Sequence, residues 1–326
     1  MRAAPLFALF ALFAVAIAGR ARAAESGPVT VIFVGDIMLD GLPGASIQAG
    51  VDPFERFASE LSRADAAVGN LECAVATGGA PVEKIYNFRA DPRVLPVLAR
   101  HFAAVTLANN HSGDYGPSAL LETMAGLRHA ELPFFGAGKD LSEAHRAVFL
   151  ERRGVKIALL GYDEFLPRQF EASASSPGVA WSEDEEVVSD IRAARAAGAD
   201  IVIPFMHWGW EFEPAPCPRQ RELAHRMLDA GADAVIGSHP HVTQGAEYYR
   251  GKPILYSLGN FVFDGFDAPE ARVGWLATLT LTKTGVVAFS TELARLDERG
   301  LPAPDPTTPS PCGRAGVIQS CRTGQP

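Results

Sequence analysis

The stretch VIGSHPHV, residues 235–242, ends an apolar run with two histidines that stand two residues apart. A short run of branched apolar residues predicts a buried strand. In an extended segment, residues i and i+2 point to the same side, so the rings of His239 and His241 are expected to reach one ion. Two more apolar runs end in histidine-containing segments, LANNHSGDYG at residues 107–116 and IVIPFMHWGW at residues 201–210. We predict that these strand ends converge on one metal site.

Strands and helices alternate along the body of the chain, from Val29 to about Leu296. The strand-like runs include VTVIFVGD and KPILYSLGN, and the helix-like stretches include SALLETMAGLRHA and RQRELAHRMLDAGA. Two stretches predict hairpins, one turning at residues 153–154 and the other at residues 283–285, so antiparallel pairs are expected as well. This order of elements predicts an α/β fold with mixed sheets.

The polar residues that directly follow the predicted strands form one chemical set. They are Asp36, Asn70 with Glu72, Asn110 with His111, His207, and His239 with His241. Because ligand sites in open α/β sheets form at the carboxyl ends of strands, these groups can face one crevice. Carboxylate, amide and imidazole donors suit a divalent ion such as Zn, Mn or Fe, and they do not suit an all-oxygen calcium cage. We therefore expect a divalent metal cofactor.

Each of these residues also has an ordinary structural explanation when it is taken alone. A strand-end aspartate such as Asp36 often caps a helix or forms a turn, and a single buried histidine such as His207 often serves in packing. The same chemistry at five strand ends favours a site. Asp114, three residues after His111, can fix the tautomer of that ring and raise its basicity.

Two familiar catalytic motifs are missing from the sequence. The glycine-rich pieces GGAP and GAGKD lack the spacing of a P-loop, and no GxSxG elbow indicates an α/β-hydrolase triad. The remaining histidines are interpreted as surface or packing residues, because they lie on helix-like or linking segments. They are His101, His129, His145 and His225.

The N-terminal segment has the pattern of a secretory signal peptide. Residues 1–23 combine an early Arg2, an apolar run at residues 6–18 and an end in which Ala21 and Ala23 flank one residue. The run is shorter than the ~20 residues of a membrane span, and an uncleaved anchor is the alternative. We expect an exported protein, periplasmic or extracellular, or loosely membrane-associated. Cleavage would remove three arginines and change the net charge from −9 to −12, which disfavours binding to nucleic acid.

Export makes disulfides possible, and the chain has four cysteines, Cys73, Cys217, Cys312 and Cys321. Three full pairings exist. A local bridge between Cys312 and Cys321 is the first expectation, while Cys73 and Cys217 could bridge two site loops or remain buried thiols. Residues 301–326 are rich in Pro, Gly, Ser and Thr, which predicts a flexible tail apart from the loop that this bridge would close.

Six blocks of the sequence, in order, resemble the CapA family of bacterial poly-γ-glutamate capsule biosynthesis proteins. The blocks are VGDIMLD, GNLECAVA, ANNHSGDYG, HWGWEFEP, GSHPHVTQG and YSLGNFVFD, and they cover about residues 29–263. That family is similar to the calcineurin-like metallophosphoesterases. The resemblance implies an α/β fold of two mixed β-sheets that pack as a sandwich and are flanked by helices, in four αββα layers. It places this domain at residues 24–300, between the signal peptide and the tail.

The resemblance also implies roles for individual residues. The implied metal ligands are Asp36, Asn70, Glu72, Asn110, His207, His239 and His241. His111, oriented by Asp114, would act as a general acid or as an electrostatic stabiliser. Trp208 and Glu211 of HWGWEFEP, with Asn260 of YSLGNFVFD, would line the site and bind substrate.

Two positions depart from the pattern of the metallophosphoesterases. Met38 stands where those enzymes have a metal-binding histidine, and Asn70 stands where they have a bridging aspartate. Because an imidazole and a bridging charge are lost, the expected centre is one ion, or a weaker pair of ions that uses Glu72.

The resemblance implies a function in the metabolism of poly-γ-glutamate or a related anionic envelope polymer. We expect a metal-dependent hydrolase or transferase that acts on an amide bond at or near the polymer's end. Phosphoester hydrolysis is the alternative reaction. A non-catalytic factor that binds or exports the polymer is the alternative role, and a purely structural domain ranks last because it leaves the strand-end groups unexplained. The expected partners are the polymer and the synthase or export components at the membrane.

Overall fold

Apolar runs rich in valine and isoleucine form the central strands, because branched side chains fit a pleated surface that is buried on both faces. The computed structural model describes Met1 and residues 27–322. Those residues form twenty strands, numbered here in chain order: β1 Val29–Ile37, β2 Ala66–Leu71, β3 Ala74–Val75, β4 Arg89–Ala90, β5 Ala104–Thr106, β6 Phe134–Phe135, β7 Ala137–Gly138, β8 Val148–Arg152, β9 Val155–Asp163, β10 Gly178–Val179, β11 Ile201–His207, β12 Val235–Ser238, β13 Thr243–Tyr249, β14 Lys252–Leu258, β15 Asn260–Val262, β16 Val273–Thr282, β17 Gly285–Leu296, β18 Pro302–Pro304, β19 Ser310–Arg314 and β20 Val317–Cys321.

Seven α-helices lie within the same described residues. They are α1 Gly41–Gln48, α2 Ala58–Arg63, α3 Leu95–His101, α4 Gly116–His129, α5 Leu141–Ala144, α6 Asp184–Ala196 and α7 Pro218–Ala230. Residues that favour helix ends set some of these bounds. The side chain of Asp40 accepts a hydrogen bond from the amide of Gly41 at the start of α1, and Gly231, with a φ of 123°, ends α7.

The first sheet is mixed and has ten strands. Its main order is β20-β19-β17-β16-β1-β2-β5-β6, with β15 beside β1 and β18 beside β17. The strands β1, β2, β5 and β6 pair in parallel, whereas β16, β17, β19 and β20 extend the sheet by antiparallel pairing. The carboxyl ends of the parallel strands therefore share one edge.

The second sheet is also mixed and has six strands in the order β13-β14-β12-β11-β9-β8. The central strands β14, β12, β11 and β9 are parallel. Antiparallel partners β13 and β8 form the two outer strands. The second sheet thus offers a further edge of parallel carboxyl ends.

The two sheets pack face to face around a shared apolar core. Phe33 of β1 contacts Phe205 of β11 across this core, with ring centroids 6.1 Å apart. Because successive strand residues point to opposite faces, Ile32 and Val34 lie in a separate core that includes residues of α2, α3 and α4. Residues of α6 and α7 cover the outer face of the second sheet in the same way. The predicted fold, two mixed sheets flanked by helices in four layers, is confirmed.

The two predicted hairpins are present. Strands β8 and β9 connect through Arg153 and Gly154, both of which have positive φ, and β16 pairs with β17 from Thr282 and Gly285 onward. The sequence does not predict β13 (TQGAEYY), because this edge strand fully buries only Gln244 and therefore shows no apolar run.

Residues 302–321 differ from the predicted flexible tail. They contain β18, β19 and β20, which pair with β17 or continue the first sheet beyond it. Unpaired backbone groups at a sheet edge favour such added strands. The contact is reinforced by Thr291 Oγ1, which donates to the carbonyl of Pro311 at 2.6 Å, and by Ser310 Oγ, which donates to the carbonyl of Thr291 at 2.8 Å. The folded part therefore continues past the predicted boundary at residue 300.

The expected local disulfide joins β19 to β20. Cys312 and Cys321 are bonded, with Cα atoms 5.8 Å apart. Cys73 is buried and Cys217 is partly buried, and both are free thiols.

Removal of this disulfide is expected to lower the free energy of unfolding by about 2–3 kcal/mol, because the bridge restricts a short loop of the unfolded chain. The nine-residue separation of the two cysteines sets the size of that loop. Urea unfolding of the Cys312→Ser/Cys321→Ser double variant measures the change, and Cys217→Ser is the control for loss of a thiol outside the bridge. A loss no larger than that of the control would contradict the prediction.

The predicted signal peptide, residues 1–23, lies outside the described residues apart from Met1. Among the residues that are described, no helix combines the length and the apolarity that a membrane span requires.

Candidate metal centre

Strand register brings polar residues of the first sheet to one level. Asp36, near the end of β1, lies beside Asn70 of β2 on one side and Asn260 of β15 on the other. Asn70 in turn lies beside Thr106 of β5, and the chain after β5 continues into the loop that carries Asn110. The carboxyl edge of these strands therefore presents the residues together, as open α/β sheets do.

The second sheet contributes its own strand ends to the same crevice. His207 ends β11 and lies in register with Asp163 of β9 and with Ser238 of β12, after which the chain reaches His239. The Nδ1 atom of His207 lies 3.2 Å from Nδ2 of Asn70. A direct contact between side chains of the two sheets therefore closes the inner end of the site.

Glu72 lies in this crevice with neither carboxylate oxygen hydrogen-bonded to any described residue. It is fully buried. Its Oε1 atom lies 3.5 Å from Nε2 of His207, 3.9 Å from Nε2 of His241 and 4.0 Å from Nε2 of His111. A buried carboxylate without hydrogen bonds is costly unless a cation compensates its charge. The surroundings of Glu72 therefore fit a bound metal ion.

Among the described residues, two groups of three donors could hold a divalent ion, and both include Glu72. One group is Glu72, His239 and His241, and the other is Asp36, Glu72 and His207; within each group the donor atoms lie within 4.8 Å of one another. The Nε2 atom of His239 is also buried without a hydrogen-bond partner among the described residues. The arrangement fits one ion, or two ions that share Glu72.

Burial controls the charge state of the crevice. Burial, followed by the charge of Asp36, raises the pKa of Glu72 well above its usual value. Burial, followed by the neighbouring imidazoles, holds the pKa values of His207 and His239 well below the usual value. Although burial opposes its charged form, His241 has a raised pKa because Asp36 hydrogen-bonds to its ring and attracts its charge. His207 and His239 are thus neutral at pH 7, with lone pairs that a metal can use.

The predicted ligands Asn70 and Asn110 have different surroundings. Asn70 Nδ2 donates to Asp36 Oδ1 at 2.8 Å, and Asn70 Oδ1 accepts from Asn109 Nδ2 at 2.9 Å. Both ends of the Asn70 amide are therefore engaged in orienting its neighbours. Asn110 instead presents Oδ1 2.9 Å from Nε2 of His207, next to the candidate donors.

The segment from His239 to His241 reaches the crevice along a different path from the predicted one. Both histidines have positive φ, 97° and 57°, so the segment is a turn and the prediction of an extended segment is wrong. Such backbone costs about 1–3 kcal/mol per residue and is concentrated at ligand sites. The two ring centroids are 5.9 Å apart, and both rings offer a nitrogen near Glu72.

His111, Asp114 and Lys84 form a hydrogen-bonded triad at the side of the crevice. Asp114 Oδ2 lies 2.7 Å from Nδ1 of His111, and Lys84 Nζ donates to Asp114 Oδ1 at 2.7 Å. Burial lowers the pKa of His111 to about 4 against the opposing attraction of Asp114. We assign the proton of the neutral ring to Nδ1, where Asp114 accepts it, so Nε2 faces the crevice with a lone pair.

Trp208 does not line the crevice, and the prediction that it binds substrate is wrong. It is fully buried in the outer core of the second sheet. Its Nε1 atom donates to the carbonyl of Tyr256 at 2.8 Å. Because side chains alternate along a strand, the residue after His207 points to the opposite face of the sheet.

Asn260 and Glu211, the other two residues predicted to bind substrate, have contrasting positions. Asn260 is buried, and its Oδ1 atom lies 2.9 Å from Nδ1 of His241 while its Nδ2 atom donates to the carbonyl of Ala271 at 2.8 Å. Asn260 therefore orients His241 from behind, where a substrate has no access, and the prediction for it is wrong. Glu211 is exposed and lines a cavity beside His111 and His241.

Asp163, in register with His207, and Lys84, beside His111 and Asp114, border the site and are not predicted from the sequence. Asp163 ends β9 with Oδ2 buried and unpaired among the described residues, and burial raises its pKa to about 8. The strand-end rule could have found it, because it directly follows an apolar run. Lys84 lies in a polar loop without periodic pattern, so no sequence signal marks it.

Met38, the departure from the metallophosphoesterase pattern, packs in the core and accepts from the amide of Asp40 at 3.2 Å through its sulfur.

Sequence comparison finds relatives that cover most of the chain. The family described as bacterial capsule synthesis protein PGA_cap matches residues 30–265. The PGA biosynthesis protein CapA of Bacillus subtilis (strain 168) is 35% identical over 280 residues, which cover 83% of this chain and 72% of that protein. The capsule biosynthesis protein CapA of Bacillus anthracis is 32% identical over 255 residues, which cover 74% of this chain and 61% of that protein. The chain thus spans less than two thirds of the second relative.

Comparison with solved structures finds a likeness to a nucleotidase. The structure of the NAD nucleotidase of Haemophilus influenzae matches with a TM-score of 0.47 and 14% identity, over 86% of this chain and 54% of that chain.

Proposed function

The chain belongs to the bacterial capsule synthesis protein PGA_cap family, and from that membership we propose a metal-dependent hydrolase or transferase that acts on poly-γ-glutamate or a related anionic envelope polymer. The relatives from Bacillus subtilis and Bacillus anthracis carry the names of PGA and capsule biosynthesis proteins. The proposed reaction cleaves or transfers an amide bond at or near the polymer's end.

The observation that supports metal-dependent chemistry is the environment of Glu72. Its carboxylate is fully buried, lacks hydrogen bonds among the described residues and is surrounded by imidazole nitrogens. A purely structural site would be expected to hydrogen-bond this carboxylate. The proposed ligands are the two donor groups that share Glu72, with Asn110 beside them. The proposed ion is Zn, Mn or Fe, and it would supply Lewis acidity toward a carbonyl or phosphoryl oxygen.

The role proposed for His111 follows from the direction of its ring. Asp114 holds the Nδ1 proton, and Lys84 balances the charge of Asp114. Nε2 of His111 is therefore the atom that can hold or move a proton at the substrate, or donate a hydrogen bond to it once protonated. Phe88 packs against the His111 ring, with centroids 4.4 Å apart, and limits its rotation.

We further propose that the protein is exported through its N-terminal signal segment and acts outside the cytoplasm, near the synthase or export components of the polymer. The signal pattern of residues 1–23 and the polymer-related names of the relatives support this proposal. Secretion of a reporter fused to residues 1–30, compared with the same fusion lacking residues 6–18, tests the export step.

Metal analysis of the purified protein tests the proposed centre. His239→Ala and His207→Ala are each expected to lower the bound metal to below about a tenth of the wild-type content, because each removes a proposed ligand. His129→Ala, which replaces an exposed histidine on α4, is the matched control. Wild-type metal content in both site variants would rule out the proposed centre.

Substrate assays separate the proposed reaction from its alternatives. The metal-loaded protein is incubated with γ-glutamyl oligomers and, separately, with a phosphodiester such as bis(p-nitrophenyl) phosphate, and products are identified by mass spectrometry. Turnover of the oligomer supports the proposal. Turnover of the phosphodiester alone would favour a phosphoesterase, and oligomer binding without turnover would favour a non-catalytic polymer-binding factor.

A further inference from the structure

A cavity of about 400 Å³ opens directly beside the candidate metal centre. His111 and His241 form its inner wall. Aromatic side chains form much of the remainder, namely Tyr86, Phe88, Phe212, Phe263 and Phe266. A volume of this size lies in the range of cavities that bind small molecules or substrate groups.

The aromatic rings of this cavity pack against one another in edge-on and tilted arrangements. Phe263 and Phe266 have ring centroids 5.0 Å apart, and Phe212 lies 5.9 Å from Phe266. Phe263 and Phe266 each lie 4.9 Å from the His241 ring. The cavity therefore places several aromatic rings next to the candidate metal centre.

Apart from the two histidines, the charged side chains that line the cavity are all acidic. Three carboxylates line it, Glu211, Asp264 and Asp267, and no lysine or arginine does so among the described residues. Asp264 is held in place because its Oδ2 atom accepts from the amide of Leu42 at 2.8 Å. Aromatic faces together with carboxylates are the chemistry that recognises an organic cation.

His111 is a second and independent sign of a ligand at this place. Its side chain is 6% exposed. Its Nδ1 atom is bonded to Asp114, whereas its Nε2 atom makes no hydrogen bond among the described residues. A ring nitrogen that has no protein partner, on a buried side chain that lines an open cavity, is positioned for a group that enters from solvent.

We infer that this cavity binds a primary ammonium group of the substrate. The connection to the polymer rests on the proposed function: a chain of γ-linked glutamates carries a carboxylate on every residue and one free amino group at its amino end. The carboxylates of the cavity repel the polymer's side groups and attract that amino end. The cavity would therefore select the amino-terminal end of the polymer and place the adjacent amide bond near His111 and the candidate ligands.

Binding of n-butylammonium to the metal-loaded protein tests the cavity without any polymer. Glu211→Gln is expected to weaken this binding about two- to fivefold, because it removes one exposed carboxylate partner of the cation. Glu213→Gln removes an equal charge two residues away, outside the cavity lining, and is the matched control. The neutral analogue 1-butanol is expected to bind more weakly than the amine. Equal binding of amine and alcohol, or equal binding by Glu211→Gln and the wild type, would overturn the inference.

A pair of γ-glutamyl hexamers tests the connection to the polymer. The hexamer with a free amino end is expected to bind at least about fivefold more tightly than its N-acetylated form, and Glu211→Gln is expected to reduce this difference. Equal affinity for the two hexamers in the wild type would overturn the assignment of the cavity to the polymer's amino end. Tight, amine-dependent binding without turnover would support this assignment and count against the proposed hydrolase or transferase. Failure of the amino-end assignment can therefore be told apart from failure of the proposed reaction.

Discussion

Glu72→Gln is expected to lower the affinity for the metal more than about 100-fold and to abolish measurable turnover. Glu72 belongs to both groups of candidate donors, whereas each histidine ligand belongs to only one. Loss of residues that merely orient a ligand lowers affinity or activity about 10–100-fold, so loss of a shared charged ligand should cost more. The glutamine keeps the shape of the side chain and removes its charge.

The same substitution should stabilise the metal-free protein. Without a cation, Glu72 must either bury an unpaired charge or take up a proton, as its raised pKa indicates, and above the usual pKa of a glutamate either one disfavours the folded state. The free energy of unfolding of the metal-free variant at pH 8 is expected to exceed that of the metal-free wild type by about 1 kcal/mol or more. If Glu72 served only in packing, its replacement would instead lower the free energy of unfolding, because packing contacts would be lost.

Metal titration and urea unfolding, each on chelator-treated protein, measure these two effects. Asp163→Asn is the matched control, because Asp163 is likewise buried with one unpaired oxygen at the same edge but belongs to neither donor group. It should retain metal at close to the wild-type affinity. If Glu72→Gln kept that affinity too, the carboxylate would not be a ligand and the proposed centre would fail.

Part of this site can be predicted from the sequence, because polar residues that can bind a metal directly follow the apolar runs of the strands. Asp36 and His207 each follow a branched apolar run, and donor atoms of both lie within 4.8 Å of Glu72. The prediction that ligands lie at the carboxyl ends of strands requires only the position where each strand ends, and the apolar pattern shows that position clearly. The same pattern marks Asp163, which ends the apolar run of β9 and is buried.

The details that the sequence could not predict depend on side-chain direction and on tertiary pairing. Trp208 adjoins a candidate ligand along the chain, yet strand alternation turns it into the opposite core. The positive φ of His239 and His241 could not be predicted, because positive φ stays uncommon for any residue other than glycine, even though histidine is enriched there. Likewise, the Pro- and Gly-rich residues after 301 form strands only because β17 offers them an edge.

His111→Asn is expected to lower turnover of the γ-glutamyl oligomer by about 10²–10⁴-fold, the usual range for loss of a general acid or base. Metal content should not change, since His111 is in neither candidate donor group. Asp114→Asn should cost about 10–100-fold, because it leaves His111 in place but removes the carboxylate that fixes its tautomer.

The control for this series is His225→Asn. His225 is also a histidine bonded to a carboxylate, with Nε2 2.6 Å from Oε1 of Glu247, but it lies on α7 away from the crevice. Its replacement should leave turnover and metal content at wild-type values. Loss of metal in His111→Asn would make the ring a ligand, and undiminished turnover would remove it from the reaction. Retained metal with reduced turnover is the one combination expected of a group that moves a proton at the substrate, because such a group acts on the rate and not on the affinity for the ion.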